Sequence, residues 1–251
     1  MASEPAFDLP PILRLPVELR TQIWEHLIPQ ENVSHPLPSV GITAVSHRPP
    51  SLGLLLIHPN ITDELLDHFY KITTWKLIFS HAFNFFRIDP DLIKLERSPS
   101  LIRLRKIEVV FFCDILLLKE YPSFGLESFC AEIRRRADRA CDVLLQAPEL
   151  NTVTVSWVDT TSTNGWQEKA KILSPLKKLQ RGKVRFRVGE ITGPEKLDRE
   201  LFLRAVQDFL GPEAGLEAPA GEDCSKGQPS NLRMLAFDVR QERRLLGVGT
   251  P

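Results

Sequence analysis

Apolar and polar residues alternate within short extended runs, and this alternation restricts the fold more than any other feature of the sequence. The runs are Lys106–Phe112, Thr152–Val158 and Lys183–Val188. In the first, Ile107, Val109 and Phe111 share one side, because successive side chains of a strand point to opposite faces. A doubly wound parallel sheet buries both faces and reads as continuous apolar runs. The alternation therefore predicts a sheet that carries helices mainly on one face.

Helical stretches separate these runs and further strand candidates. We expect strands also at Trp75–Phe79, Phe83–Ile88 and Met234–Val239, and helices near 89–98, 124–146, 165–180 and 195–210. Strands that alternate with helices indicate right-handed βαβ units. We predict an α/β (mixed α+β) fold with a mostly parallel sheet, whose layering resembles an irregular leucine-rich-repeat solenoid.

Composition shifts divide the chain into four parts. Residues 1–50 hold a helical segment and a proline-rich linker, and residues 51–210 form the α/β recognition domain. Residues 211–230 are rich in Gly, Pro, Ala and Glu and are predicted to be a flexible insertion. Residues 231–251 contain the last strand and a frayed tail.

Composition points to a soluble protein of the cytoplasm or nucleus. The 251 residues carry 32 basic and 32 acidic side chains, so net charge indicates no particular partner. The four cysteines form no CxxC pair, which favours a reducing compartment. The chain shows neither a signal-peptide pattern nor an apolar run of the ~20 residues that a membrane helix needs. We expect no membrane partner.

An amphipathic helix is predicted near the amino terminus. Pro16 suits the first turn of a helix, and Glu18 is favoured there by the helix dipole. Leu19, Ile23 and Leu27 recur every four residues and form one apolar stripe. Taken alone, this pattern is also that of an ordinary core helix.

Two sequence blocks carry a family resemblance. The first is LPVELRTQIWEHLI at 15–28, and the second is LLLIHPNITDELLDHFY at 54–70. Their order and spacing resemble the fungal F-box-like proteins, whose chains begin with an LPxELRxxIW motif. The resemblance covers the first 110 residues well and the remainder loosely, and the later part of a usual F-box is not evident.

An F-box implies binding to the Skp-type adaptor of a cullin ubiquitin ligase. The residues that would bind the adaptor are Leu15, Pro16, Leu19, Ile23, Leu27 and Ile28. The protein would then be a non-enzymatic, F-box-type substrate receptor for an unknown protein target. Alternatively, the same residues serve only as a structural cap on the protein's own α/β part.

A run of basic residues suggests a second surface. Every charged residue between 169 and 187 is positive, and Arg185 and Arg187 fall on the polar side of a predicted strand. Guanidinium groups bind carboxylates and phosphates well. The candidate target-binding residues are Thr154, Ser156, Lys183, Arg185 and Arg187.

The basic cluster at 169–187 also allows an alternative function, the binding of an acidic ligand or nucleic acid. We do not expect nucleic acid as a partner, because net charge is balanced and exposed aromatics are not interleaved with the basic residues. No motif for catalysis, metal binding or cofactor binding stands out. We predict no enzyme activity, no cofactor and no metal.

Overall fold

The computed structural model describes most of the chain between residues 10 and 208. The described segments are 10–34, 42–80, 91–113, 125–159, 166–181, 184–192, 200–201 and 204–208. The predicted strands Phe83–Ile88 and Met234–Val239, the candidate site residue Lys183 and the predicted insertion and tail beyond 210 lie outside the described residues.

Six strands form one mixed sheet. They are β1 (Val33–Ser34), β2 (Ala44–Val45), β3 (Trp75–Ser80), β4 (Lys106–Cys113), β5 (Thr152–Asp159) and β6 (Arg185–Thr192). Their spatial order is the chain order. β1, β2 and β3 pair antiparallel, whereas β3 to β6 pair parallel. The predicted mixed α/β class with a mostly parallel sheet is confirmed.

Helices connect the strands. They are α1 (Val17–Leu27), α2 (Leu52–Leu55), α3 (Pro59–Ile72), α4 (Leu92–Arg97), α5 (Leu126–Leu144) and α6 (Trp166–Lys171), with 3-10 segments at Pro11–Arg14, Pro99–Arg103 and Ser174–Arg181. A further helix was predicted near 195–210. The structure describes residues 200–201 and 204–208 of it, and both segments are helical.

The main core lies on one face of the sheet. Parallel strands that follow one another in space as in sequence keep their right-handed connections on one side. The inward residues of β4 are Ile107, Val109 and Phe111, which are buried together with the apolar side of α5. On the opposite face, Ile78, Val110 and Val158 form a separate small cluster against Phe112. The alternation in the sequence thus corresponds to two different faces.

Residues 29–50 contain structure that the sequence analysis missed. We predicted a linker or irregular loop, but β1 and β2 lie there and extend the sheet from β3. Val45 is fully buried and Ile42 is 2% exposed. The segment that precedes residue 51 therefore contributes to the same core as the strands that follow it.

A buried ion pair holds α6 against the carboxyl end of β5. Lys169 Nζ lies 2.6 Å from Asp159 Oδ2, and each side chain is only 1% exposed. Such a pair stabilises a fold only while both partners are present, because a single buried charge has lost its hydration. Asp159 pairs in register with Cys113 of β4, so this charge lies at the carboxyl ends of β4 and β5.

We predict that Lys169→Met lowers the free energy of unfolding by about 3–5 kcal/mol, because Asp159 is left as an uncompensated buried charge. The double variant Asp159→Leu/Lys169→Met is expected to recover most of this loss. Urea unfolding followed by circular dichroism measures both. A single variant as stable as the wild type would contradict the assignment.

Candidate functional site

The predicted adaptor-binding residues differ in how far the fold covers them. Leu15, Leu19 and Leu27 are 37%, 45% and 43% exposed. Pro16 is exposed as well and forms the N-cap of α1, and Ile23 is half-buried. Ile28 is 2% exposed and belongs to the main core. The apolar stripe of α1 is therefore only partly covered: Ile23 packs against the core, whereas Leu19 and Leu27 stay accessible.

Inward packing of α1 depends on few apolar residues. Trp24 is the one fully buried side chain within the helix, and Ile28 is buried directly after it. Ile23 packs against the same core from its half-buried position. Such a narrow contact leaves much of the helix surface accessible.

Arg20 anchors α1 to the rest of the fold. Its Nε donates to Glu64 Oε2 at 2.8 Å, and its Nη2 donates to Glu64 Oε1 at 2.7 Å, a bidentate pair with α3. Its Nη1 donates to the carbonyl oxygens of Leu13 and Leu15. The hydrogen bonds to Glu64 raise the pKa of Arg20. This arginine belongs to the first sequence block and its partner to the second, so the two blocks form one unit.

The helix α3 is in turn fixed to the sheet by aromatic packing. Tyr70 stacks on Trp75 of β3 with ring centroids 5.4 Å apart, and Phe69 meets Trp75 edge-on at 6.1 Å. The Tyr70 hydroxyl donates to Ser100 Oγ at 2.9 Å. Arg20 therefore joins α1 to α3, and these rings join α3 to the sheet.

Further exposed apolar residues lie in α2, directly after it, and in α1. Leu52, Leu56 and Ile57 are 71%, 74% and 60% exposed, and Val17 of α1 is 54% exposed. The sequence analysis did not single them out. Leu56 and Ile57 lie within the second sequence block, in its run of consecutive apolar residues, which was the available signal.

A second surface is the sheet face opposite the main core, here called the open face because its amino-terminal end is partly exposed. Its middle is not accessible, since Val110 and Ser156 are fully buried there. Strand register places Lys106, Thr152 and Arg185 in one row across β4, β5 and β6. The next row contains Lys76, Glu108, Thr154 and Arg187, from β3 to β6. The predicted grouping of Thr154 with Arg185 and Arg187 on adjacent strands is thus what the register shows.

Ser156 occupies a structural position on this face. It is fully buried, its hydroxyl donates to Glu108 Oε1 at 2.6 Å, and it accepts from the Glu190 backbone N–H at 3.1 Å. Glu108 also lies 2.9 Å from Lys76 Nζ. With its hydroxyl enclosed in this network, Ser156 orients Glu108 rather than facing a target.

Positive charge gathers at the amino-terminal end of the open face. Arg185 and Arg187 are exposed, and Lys106 is half-buried beside them. Burial lowers the pKa of Lys106, and the charges of Arg187 and Lys71 lower it further. Sequence reasoning missed Lys106 and Lys71, because only the strand register and the end of α3 bring them to the arginines.

The thiol groups lie in the interior. Of the cysteines that the structure describes, Cys113, Cys130 and Cys141 are buried and form no disulfide with one another. Burial raises the pKa of Cys141 to about 12 and that of Cys113 well above its usual value. Both thiols are therefore protonated at neutral pH, a state of low nucleophilicity. Among the described residues, no three His, Cys, Asp or Glu side chains come together as a metal-ligand set.

Comparison with known proteins adds no relative: no family model, curated protein or solved structure matches this chain. In the part of the chain that the structure describes, no helix combines the length and apolar character needed to span a membrane.

Gly189 permits the close approach of β6 to β5 where the register shifts between Val155 and Trp157. A Cβ atom on this residue would lie 2.1 Å from Ser156 Oγ and 2.8 Å from Thr154 Cγ2. A methyl group therefore fits only if the Ser156 and Thr154 side chains move or the two strands separate.

We predict that Gly189→Ala lowers the free energy of unfolding by about 1–3 kcal/mol through this overpacking. Gly53→Ala in α2 is the matched control, since its Cβ would meet nothing within 4 Å. Helix propensity should make that variant slightly more stable, by no more than about 1 kcal/mol. Urea midpoints compare the two, and an unchanged midpoint for Gly189→Ala would count against the close strand contact.

Proposed function

We propose that this protein is a non-enzymatic interaction module of the cytoplasm or nucleus, an F-box-type substrate receptor that binds a Skp-type adaptor through α1. The observation that carries the proposal is the exposure of Leu15, Leu19 and Leu27 on and directly before a helix that is anchored to the fold. The α/β part would then hold the protein target.

Exposed large apolar side chains on an anchored helix favour a docking role. Apolar residues that lie together on a surface mark interaction sites. Because Arg20 bonds to Glu64 and to two carbonyl groups, α1 is ordered before any partner arrives. A preorganised surface pays less conformational entropy on binding, which strengthens association.

The resemblance to fungal F-box-like proteins also gains a physical explanation. Arg20 of the LPxELR block bonds to Glu64 of the DELL block, 44 residues later. In this chain the two blocks form the halves of one helix pair, in which Leu19 and Leu27 stay exposed.

The alternative role, a structural cap, is favoured by a different side of the same helix. Trp24 and Ile28 are each 2% exposed and belong to the main core. They cover part of the protein's own interior. This capping contact does not account for the exposed Leu15, Leu19 and Leu27, which the adaptor proposal does.

We predict that the wild-type protein forms a stable complex when co-expressed with the Skp-type adaptor of its own organism. Leu19→Asp/Leu27→Asp is expected to weaken that complex at least about tenfold, because carboxylates replace apolar anchors of the interface. Size-exclusion chromatography and calorimetric titration measure the association.

The matched control is Ile93→Asp/Ile102→Asp, which places the same charges on side chains that are 59% and 61% exposed in other elements. It is expected to bind the adaptor like the wild type. Thermal unfolding of each variant checks that it is folded. A folded wild-type protein that shows no association with the adaptor would refute the proposal.

A further inference from the structure

We propose that the open face of the sheet binds a polypeptide segment that carries closely spaced anionic groups, phosphoserine or acidic side chains. The residues that would hold it are Lys71, Lys106, Arg185 and Arg187, here called the basic face. This site lies on strands and on the end of α3, and it includes no residue of α1. It does not depend on adaptor binding, and the test below uses the protein alone.

The register of the strands sets the spacing of the charges. Lys106 and Arg185 flank Thr152 on the two neighbouring strands. Adjacent strands lie about 4.8 Å apart, so the backbones that carry these two cations are separated by about 10 Å. Arg187 follows Arg185 on the same side of β6, about 6.6 Å further along the strand. The basic face is therefore a grid of cations and not a single contact.

The spacing of side chains in an extended peptide matches the distance between Lys106 and Arg185. A polyproline II segment rises about 3.1 Å per residue with three residues per turn, so residues three apart point the same way about 9 Å apart. Two anionic side chains at that spacing would reach Lys106 and Arg185 together, with the Thr152 position between them.

The central acid of this region is already paired. Glu108 lies 2.9 Å from Lys76 Nζ and accepts the Ser156 hydroxyl, and its side chain is only 13% exposed. Its charge is thus directed toward Lys76, in the row next to Lys106. The lowered pKa of Lys106, caused by burial and then by Arg187 and Lys71, agrees with cations held close to one another. An anion bound between them would relieve this repulsion.

A peptide is favoured over nucleic acid by the absence of a stacking platform. The exposed large apolar residues of the described chain include no aromatic side chain. Single-stranded nucleic acids bind largely by stacking bases on aromatics. The whole chain also carries no net positive charge.

The test uses a fluorescein-labelled nine-residue peptide with two phosphoserines three positions apart. Versions with two glutamates and with two unmodified serines serve as arms, and a twelve-nucleotide oligothymidylate is the nucleic-acid probe. Fluorescence anisotropy measures each dissociation constant at low and at physiological salt. We expect the phosphorylated peptide to bind at least about tenfold more tightly than the serine peptide, with affinity falling as salt rises.

The discriminating variant is Arg185→Glu/Arg187→Glu, since both side chains are exposed and their replacement leaves the core intact. It is expected to weaken binding of the phosphorylated peptide at least about tenfold. Arg103→Glu/Arg134→Glu makes the same charge change at exposed positions of helical segments and is expected to bind within about twofold of the wild type. Thermal unfolding confirms that both variants are folded.

The glutamate arm identifies the source of the anionic groups. Binding equal to that of the phosphorylated peptide assigns the face to acidic segments, and weaker binding assigns it to phosphorylated ones. Equal affinity for the phosphorylated and serine peptides would overturn the proposal, as would equal losses in the two double variants. Binding of the oligothymidylate alone would assign the face to nucleic acid and overturn it as well.

Discussion

The contact between Arg20 and Glu64 is the interaction on which the arrangement of the amino-terminal helices depends. An isolated helix of eleven residues, the length of α1, is marginal in water, so its order must come from packing or side-chain bonds. Its apolar anchors within the core are few, chiefly Trp24 and Ile28. Arg20 supplies the remainder by bonding to α3 and to the carbonyls before α1. Because the ion pair between Arg20 and Glu64 holds the helix, Leu19 and Leu27 do not have to be buried to keep it in place.

A one-sided sheet explains the second surface. The strand order follows the chain order, so right-handed connections between the parallel strands stay on one face. Among the described residues, the apolar sides of the helices pack into the main core on that face. The open face divides into an apolar end around Val110 and a polar end around Glu108. At the polar end, Lys76, Glu108 and the buried Ser156 form a partly buried network. The cations Lys106, Arg185 and Arg187 lie on the same or neighbouring strands.

Periodicity predicted the strands and helices that are long enough to show a period. The strands β3 to β5 lie where the alternation indicated them, and β6 begins at Arg185 instead of Lys183 within the described residues. β1 and β2 could not be found this way, because strands of two residues have no period to read. They are strands because β2 pairs with β3 and β1 pairs with β2. Such pairing depends on tertiary structure and not on local sequence.

Which side chains of the candidate sites are accessible was harder to predict than where they lie in the sequence. Leu27 and Ile28 are adjacent apolar residues at the end of α1, so sequence alone does not distinguish the buried Ile28 from the exposed Leu27. Ser156 alternates with buried residues as a surface residue would, yet the bulge beside Gly189 and the reach of Glu108 enclose it. Lys106 joins the arginines only through the register of three strands.

Hydrogen–deuterium exchange of α1 in the isolated protein tests the central claim, that Arg20 holds this helix in place while Leu19 and Leu27 stay exposed. The wild-type amides of Val17–Leu27 are expected to exchange more slowly than those of an unfolded chain, and Arg20→Met is expected to remove that protection while the strands keep theirs. Arg48→Met is the control, since Arg48 makes only an exposed contact of 3.9 Å with Glu31. Equal protection of α1 in the wild type and in Arg20→Met would contradict the account.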